Sequence, residues 1–377
     1  MKRFRGSKVQ GFKGALWVLP AVGCAALLNA STLERLNSGT PEPSANWTAQ
    51  TSGVNSTLRG VSAATEKVAF ATGSGGTVLR TKDGGATWQK LPMPADAAKL
   101  DFRDVDAIDT RTAYILSIGA GNSSRIYKTI DGGETWNIQF SNADPKGFYD
   151  AMSFWDGDHG LVFGDSHDGK LQMLITADGG LHWDKVPEAS LPPSLDNEGA
   201  FAGSGTNIAV LSPGSQSKDA WIGTGAGPKC RMIHTGDRGK TWSVVDTPIA
   251  ASASAGIFSV VFRDKLHGIA VGGDYRKEKE AVDNVAITSD GGKTWTLVKE
   301  KGLSGFRSVV KQVPGTKSTF IAVGPQGADI SEDDGQTWAP VEMTAPVVGF
   351  HTLAFAPGKK IAFGAGGRGA VGKLEIR

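Results

Sequence analysis

Thr81-Lys82-Asp83-Gly84-Gly85-Ala86-Thr87-Trp88 is one of six copies of a single octapeptide. Two others are close, Thr129-Ile130-Asp131-Gly132-Gly133-Glu134-Thr135-Trp136 and Thr176-Ala177-Asp178-Gly179-Gly180-Leu181-His182-Trp183. Looser copies occupy 235–242, 288–295 and 331–338. The shared pattern is T/S-x-D-x-G-x-T-W, with His182 in place of one Thr and with Arg238 and Asp334 in place of the first Gly. The box tryptophans, Trp88, Trp136, Trp183, Trp242, Trp295 and Trp338, stand 48, 47, 59, 53 and 43 residues apart. A period in this range predicts an array of small sheets, with a propeller blade as the unit.

The octapeptide suits a hairpin corner. The carboxylates Asp83, Asp131, Asp178, Asp237, Asp290 and Asp333 can accept hydrogen bonds from nearby backbone N–H groups. The glycines take positive φ at no steric cost. Each tryptophan enters the following strand and packs its apolar face into the blade. The pattern resembles the Asp-box, or BNR, repeat of sialidases, sortilins and related propellers. In those families the box is a structural turn, so these residues are assigned to structure rather than to chemistry or metal binding.

The chain has 377 residues, natural for one propeller, and 51 glycines suit many tight turns. Its formal charge is +2, but Lys2, Arg3, Arg5, Lys8 and Lys13 fall in the first 30 residues, which hold no acid. The remainder carries 35 basic against 38 acidic residues and does not point to nucleic acid. Residues 1–30 read as a signal peptide, with an apolar core from Ala15 to Val22, and export to the periplasm or beyond is expected. Lipid attachment at Cys24 is the less favoured alternative. Residues 31–45, rich in Ser, Thr and Pro, read as a linker. Cys230 is then the one cysteine of the body, expected to be a buried apolar side chain.

Blades parsed on the boxes begin at Leu58, Phe102, Phe148, about Gly199, Ile257, Phe306 and Phe350. The last has three strands and no box. Asn46-Trp47-Thr48-Ala49-Gln50-Thr51 supplies the missing fourth, with Trp47 in the place of a box tryptophan. An all-β, seven-bladed propeller over 46–377 is therefore expected, closed by its N-terminal strand, which also removes an exposed sheet edge.

With the four strands of each blade lettered A to D from the channel outward, the boxes are C–D turns and share one face with the A–B turns, and function is expected on the other. There the elaborated loops hold Asp165, His167, Glu198, Asp274 and Tyr275. The residue after the leading apolar one of each strand A is Arg59, Arg103, Tyr149, Ser259, Arg307 or His351. These side chains are expected to ring the channel mouth, where arginine forks can hold a carboxylate. Pairing with Asp104, Asp150 or Asp165 is the competing expectation. Asp156-Gly157-Asp158-His159-Gly160 has the spacing of a tight turn and is not assigned a metal. No cofactor motif is present; a strand–GxGxxG–helix fingerprint is absent.

The leader, the boxes and the Phe-Arg-x-Val starts at Phe102 and Phe306 together resemble the photosystem II stability/assembly factor family, over nearly all of 46–377. The resemblance implies a secreted, non-catalytic, monomeric module. It implies an arginine patch that docks on a protein partner, such as a membrane-protein segment or assembly intermediate, and carries that role to Arg59, Arg103 and Arg307. A glycoside hydrolase of the sialidase or xyloglucanase type is the alternative; the Phe-Arg-Ile-Pro start of sialidases is missing. A purely structural surface protein is the third reading.

Overall fold

The computed structural model describes residues 45–211, 216–343 and 349–377. The expected leader and nearly all of the expected linker lie outside them. The described residues form seven four-stranded antiparallel sheets, the blades of a β-propeller. Blades 1 to 6 span 58–90, 101–141, 149–185, 208–246, 255–297 and 309–341. Blade 7 combines Phe350–Phe355, Ile361–Gly366 and Val371–Ile376 with the N-terminal strand Ala45–Gln50. Its closing register sets Trp47 opposite Leu374, and the Trp47 ring lies 5.1 Å from that of Phe350. Gln50 extends the closure into blade 1, accepting from Trp88 Nε1 at 3.0 Å and donating to the Gly84 carbonyl at 3.1 Å.

All six boxes are built alike. In the second, Thr135 donates to Asp131 through its backbone N–H (3.0 Å) and its hydroxyl (2.6 Å). The Thr129 hydroxyl bridges the turn, donating to Asp131 Oδ1 and accepting from Gly133 N. Gly132 and Gly133 both have positive φ, 79° and 91°. Each box also leans on the preceding blade. Tyr114 and Lys128 donate to the Gly179 carbonyl, Arg80 to that of Gly132 and Trp221 to that of Gly291.

Where the first box glycine is lost, side-chain charge replaces that contact. Arg238 reaches back to Asp156 (2.7 Å), and Asp334 receives Arg263 (2.9 Å). Both box residues hold positive φ, 59° and 63°. The ion pairs hold these strained turns against the neighbouring blade. Asp156 and His159 thus belong to a blade junction, with a 2.8 Å contact between them.

The innermost strands carry a repeated β-bulge. It falls between Leu58 and Gly60, Phe102 and Asp104, Tyr149 and Ala151, Ile257 and Ser259, and Phe350 and Thr352. The bulge swings a carbonyl over the end of the second strand. A Cβ there would lie 2.3 Å from Thr57 O at Gly73, 2.2 Å from Phe148 O at Gly164 and 1.9 Å from Gly256 O at Gly272. Glycine is therefore required at those strand ends, and the extra residues Arg59, Arg103, Phe258 and His351 line the channel mouth.

Blade 4 departs from the pattern. Its first strand is only Ile208–Val210, and the chain before it crosses the central channel. Arg103 Nη1 of blade 2 donates to Ala202 O at 3.2 Å. The Ser204 hydroxyl donates to Ser308 O of blade 6 at 2.7 Å, and Thr352 of blade 7 donates to Ser204 O at 3.4 Å. Thr206 bonds Ser259 of blade 5 at 2.7 Å. Gly205 crosses against Asp104, where a Cβ would fall 2.1 Å from Oδ1. This strap, residues 201–206, separates a cup at the loop face from a second polar cavity below.

Candidate functional site

The cup has a volume of about 350 Å³. Arg59, Arg103 and His351 form one side of its lining; Phe201, Phe258, Phe306 and Tyr275 form an aromatic group, with Ala202 and Gly203 of the strap, Glu278 and Pro325. Three of these residues, Arg59, Arg103 and His351, are bulge residues, and so is Phe258. The aromatics are mutually ordered. Phe201 stacks on Phe258 at 4.3 Å and 1°, Phe306 meets Phe258 edge-on at 4.6 Å, and Tyr275 meets Phe201 edge-on at 5.9 Å.

The two arginines differ. Arg103 is engaged, donating from Nε to Asp101 Oδ2 at 2.9 Å and from Nη1 to the strap. Arg59 Nε is buried without a hydrogen-bond partner among the described residues. Burial, and then Arg103 beside it, lowers the Arg59 pKa to about 10, so it stays cationic at neutral pH. Burial likewise lowers the His351 pKa to about 4, helped by Arg59 and Arg103. The imidazole is therefore neutral at pH 7, and its buried Nδ1 also has no partner among the described residues. A half-buried guanidinium with an unpaired Nε, beside a neutral imidazole, suits an incoming oxyanion.

Other expected site residues are placed elsewhere. Arg307 does not join the cup; it is 2% exposed and forms a buried pair with Asp329 at 2.7 Å. Its other donors go to Phe306 O and the Ser304 hydroxyl, so it is a strut within blade 6. Glu198 is fully buried and paired with Arg231, and it also accepts from Thr224 Oγ1 (2.9 Å) and Leu195 N (3.0 Å). Tyr149 is a core side chain, edge-on to Phe140. The bulge residue is Asp150 rather than Tyr149 in blade 3 and Phe258 rather than Ser259 in blade 5; Phe258 lines the cup, whereas Asp150 is buried.

Asp150 is 2% exposed and lies beside Asp165, which accepts from Ala200 N at 3.3 Å. Burial raises the pKa of both, Asp165 to about 6, and the neighbouring Asp165 carboxyl raises Asp150 further. His167 lies in a separate surface cluster, 3.2 Å from Asp144 and 3.3 Å from Asp168. Asp274 caps the blade 5 loop by accepting from Arg276 N at 2.9 Å. Cys230 is buried, its thiol pKa pushed up to about 12 by desolvation. Sequence reasoning missed Phe201, Phe258, Phe306 and Glu278. The glycines at the ends of the second strands carry the register that would have located Phe258 and Asp150.

Solved structures share this architecture. One described as YCF48 bound to D1 peptide superposes with a TM-score of 0.60 at 17% identity, over 87% of this chain and 96% of that one. The fold is that of a seven-bladed propeller. The GH74 xyloglucanase from Xanthomonas campestris gives a TM-score of 0.59 at 16% identity, over 88% of this chain and 55% of that chain. A structure of U3-55K gives 0.60 at 12% identity, covering 89% and 100% of the two chains. No family model matches the chain, and no curated protein matches it. At these identities the likeness establishes the fold.

Proposed function

We propose that this protein is a non-catalytic propeller that binds a protein partner through the cup, using Arg59 and Arg103 to hold an anionic group of the partner chain. The observation that carries the reading is Arg59, a half-buried side chain whose buried Nε has no partner among the described residues, placed beside His351 in the lining of the cup. The propeller of similar architecture with a bound peptide supports a peptide as the ligand class. We further propose that residues 1–30 export the protein and that it acts as a monomer.

A hydrolase would need two carboxyl groups about 5–9 Å apart across a scissile bond. Asp150 and Asp165 instead crowd one another away from the cup lining, which favours the binding reading. The test is fluorescence anisotropy with short acidic peptides, alongside a glycan hydrolysis panel. Arg59→Ala with Arg103→Ala should weaken peptide binding at least tenfold, and raised salt should weaken the wild type, as expected for charge contacts open to solvent. Undiminished binding by the double variant, or glycan turnover by the wild type, would overturn the proposal.

A further inference from the structure

The aromatic side of the cup has no part in holding an anion, yet it is built with care. Bulge residues and loops of the other blades supply most of the lining; in blade 4 the chain leaves the sheet and brings Phe201 across the channel onto Phe258. Phe201 remains half-buried, and Tyr275 at the rim is 39% exposed. These rings lie opposite the guanidinium side in a volume of about 350 Å³, at the lower end for ligand pockets. The strap closes the floor beneath them. A chain cannot thread through, so the cup takes the side chains of one or two residues and excludes an extended strand.

We infer that the cup recognises an aromatic residue of a partner peptide lying next to a carboxylate, with the ring packed against Phe201 and Tyr275 and the carboxylate held by Arg59. This inference rests on the cup being a peptide site. Charge and shape both support it. A carboxylate alone would satisfy Arg59 but leave the half-buried rings in water, and an aromatic ring alone would leave Arg59 Nε and His351 Nδ1 without acceptors. Aromatic pairs gain from offset or edge-on contacts, which the ordered cluster offers to an entering ring.

The experiment is a double-mutant cycle between protein and peptide, read by isothermal titration. The probes are N-acetylated, C-amidated pentapeptides that carry a glutamate beside either phenylalanine or alanine, and the free acid N-acetylphenylalanine. Wild-type protein should bind the phenylalanine peptide at least tenfold more tightly than the alanine peptide. Phe201→Ala should reduce that ratio to about twofold, whereas Arg59→Ala should weaken both peptides and leave the ratio in place. If Phe201→Ala does not fold, Tyr275→Ala, at an exposed rim position, carries the same comparison. Equal affinity for the two peptides, or a ratio untouched by the aromatic variants, would overturn the selectivity while sparing the anion site. Peptides indifferent to Arg59→Ala would instead overturn the underlying peptide-site reading. Free N-acetylphenylalanine binding as tightly as the peptide would overturn the assignment to a partner chain.

Discussion

Replacing Arg307 by Met separates the two roles that an arginine at the start of an innermost strand can have. Arg307 and Asp329 are 3% and 0% exposed in their side chains, so neither charge is relieved by solvent. After the substitution Asp329 Oδ2 retains one weak bond, from Ser304 N at 3.3 Å, and Oδ1 has no partner among the described residues. Breaking one side of a buried pair costs about 3–5 kcal/mol. With an unfolding entropy of about 2.1 cal/mol/K per residue over roughly 330 ring residues, this is a fall of about 4–7 °C in Tm. Calorimetry should show that fall at pH 8. Asp329→Asn in the same chain should recover part of the loss. Folded Arg307→Met should bind the acidic peptides within about threefold of wild type. Wild-type melting, or a binding loss as large as that of Arg59→Ala, would refute the assignment of Arg307 as a strut.

Three further outcomes are expected. Trp47→Ala with Gln50→Ala should lower the melting temperature by loosening blade 7 from blade 1, since the pair removes the ring contact with Phe350 and two bonds to the first box; unchanged melting would speak against closure by this strand. Asp131→Ala should cost about 1–2 kcal/mol in urea denaturation, the range for unmet hydrogen bonds, with peptide binding intact because the box faces away from the cup. His351→Gln should flatten the stability profile between pH 6.5 and 4. A histidine whose folded pKa is lowered to about 4 favours the folded state fully above pH 6.5, and that contribution is lost as pH falls through the window; an unaltered acid limb in chemical denaturation at several pH values would contradict this.

Much of the architecture was legible because its determinants are local. Each box needs only eight residues to satisfy its own turn, so its repetition marks a blade wherever it falls, and its spacing counts them. Trp47 could be recognised as a closing strand because it stands where a box tryptophan stands. The sorting of faces followed from connectivity alone. The tertiary structure decided which charged side chains remain available. Arg59 and Arg307 occupy equivalent positions after an apolar residue, and nothing local distinguishes them. Asp329, 22 residues further on, takes Arg307 into a buried pair, while Arg59 Nε has no such acceptor. Glu198 is withdrawn by Arg231, 33 residues away. The bulge puts Phe258 rather than Ser259 at the mouth, because pairing register belongs to two strands rather than one. The strap that closes the cup is held by blades 2, 5, 6 and 7 together, contacts between segments that meet only once the ring has closed.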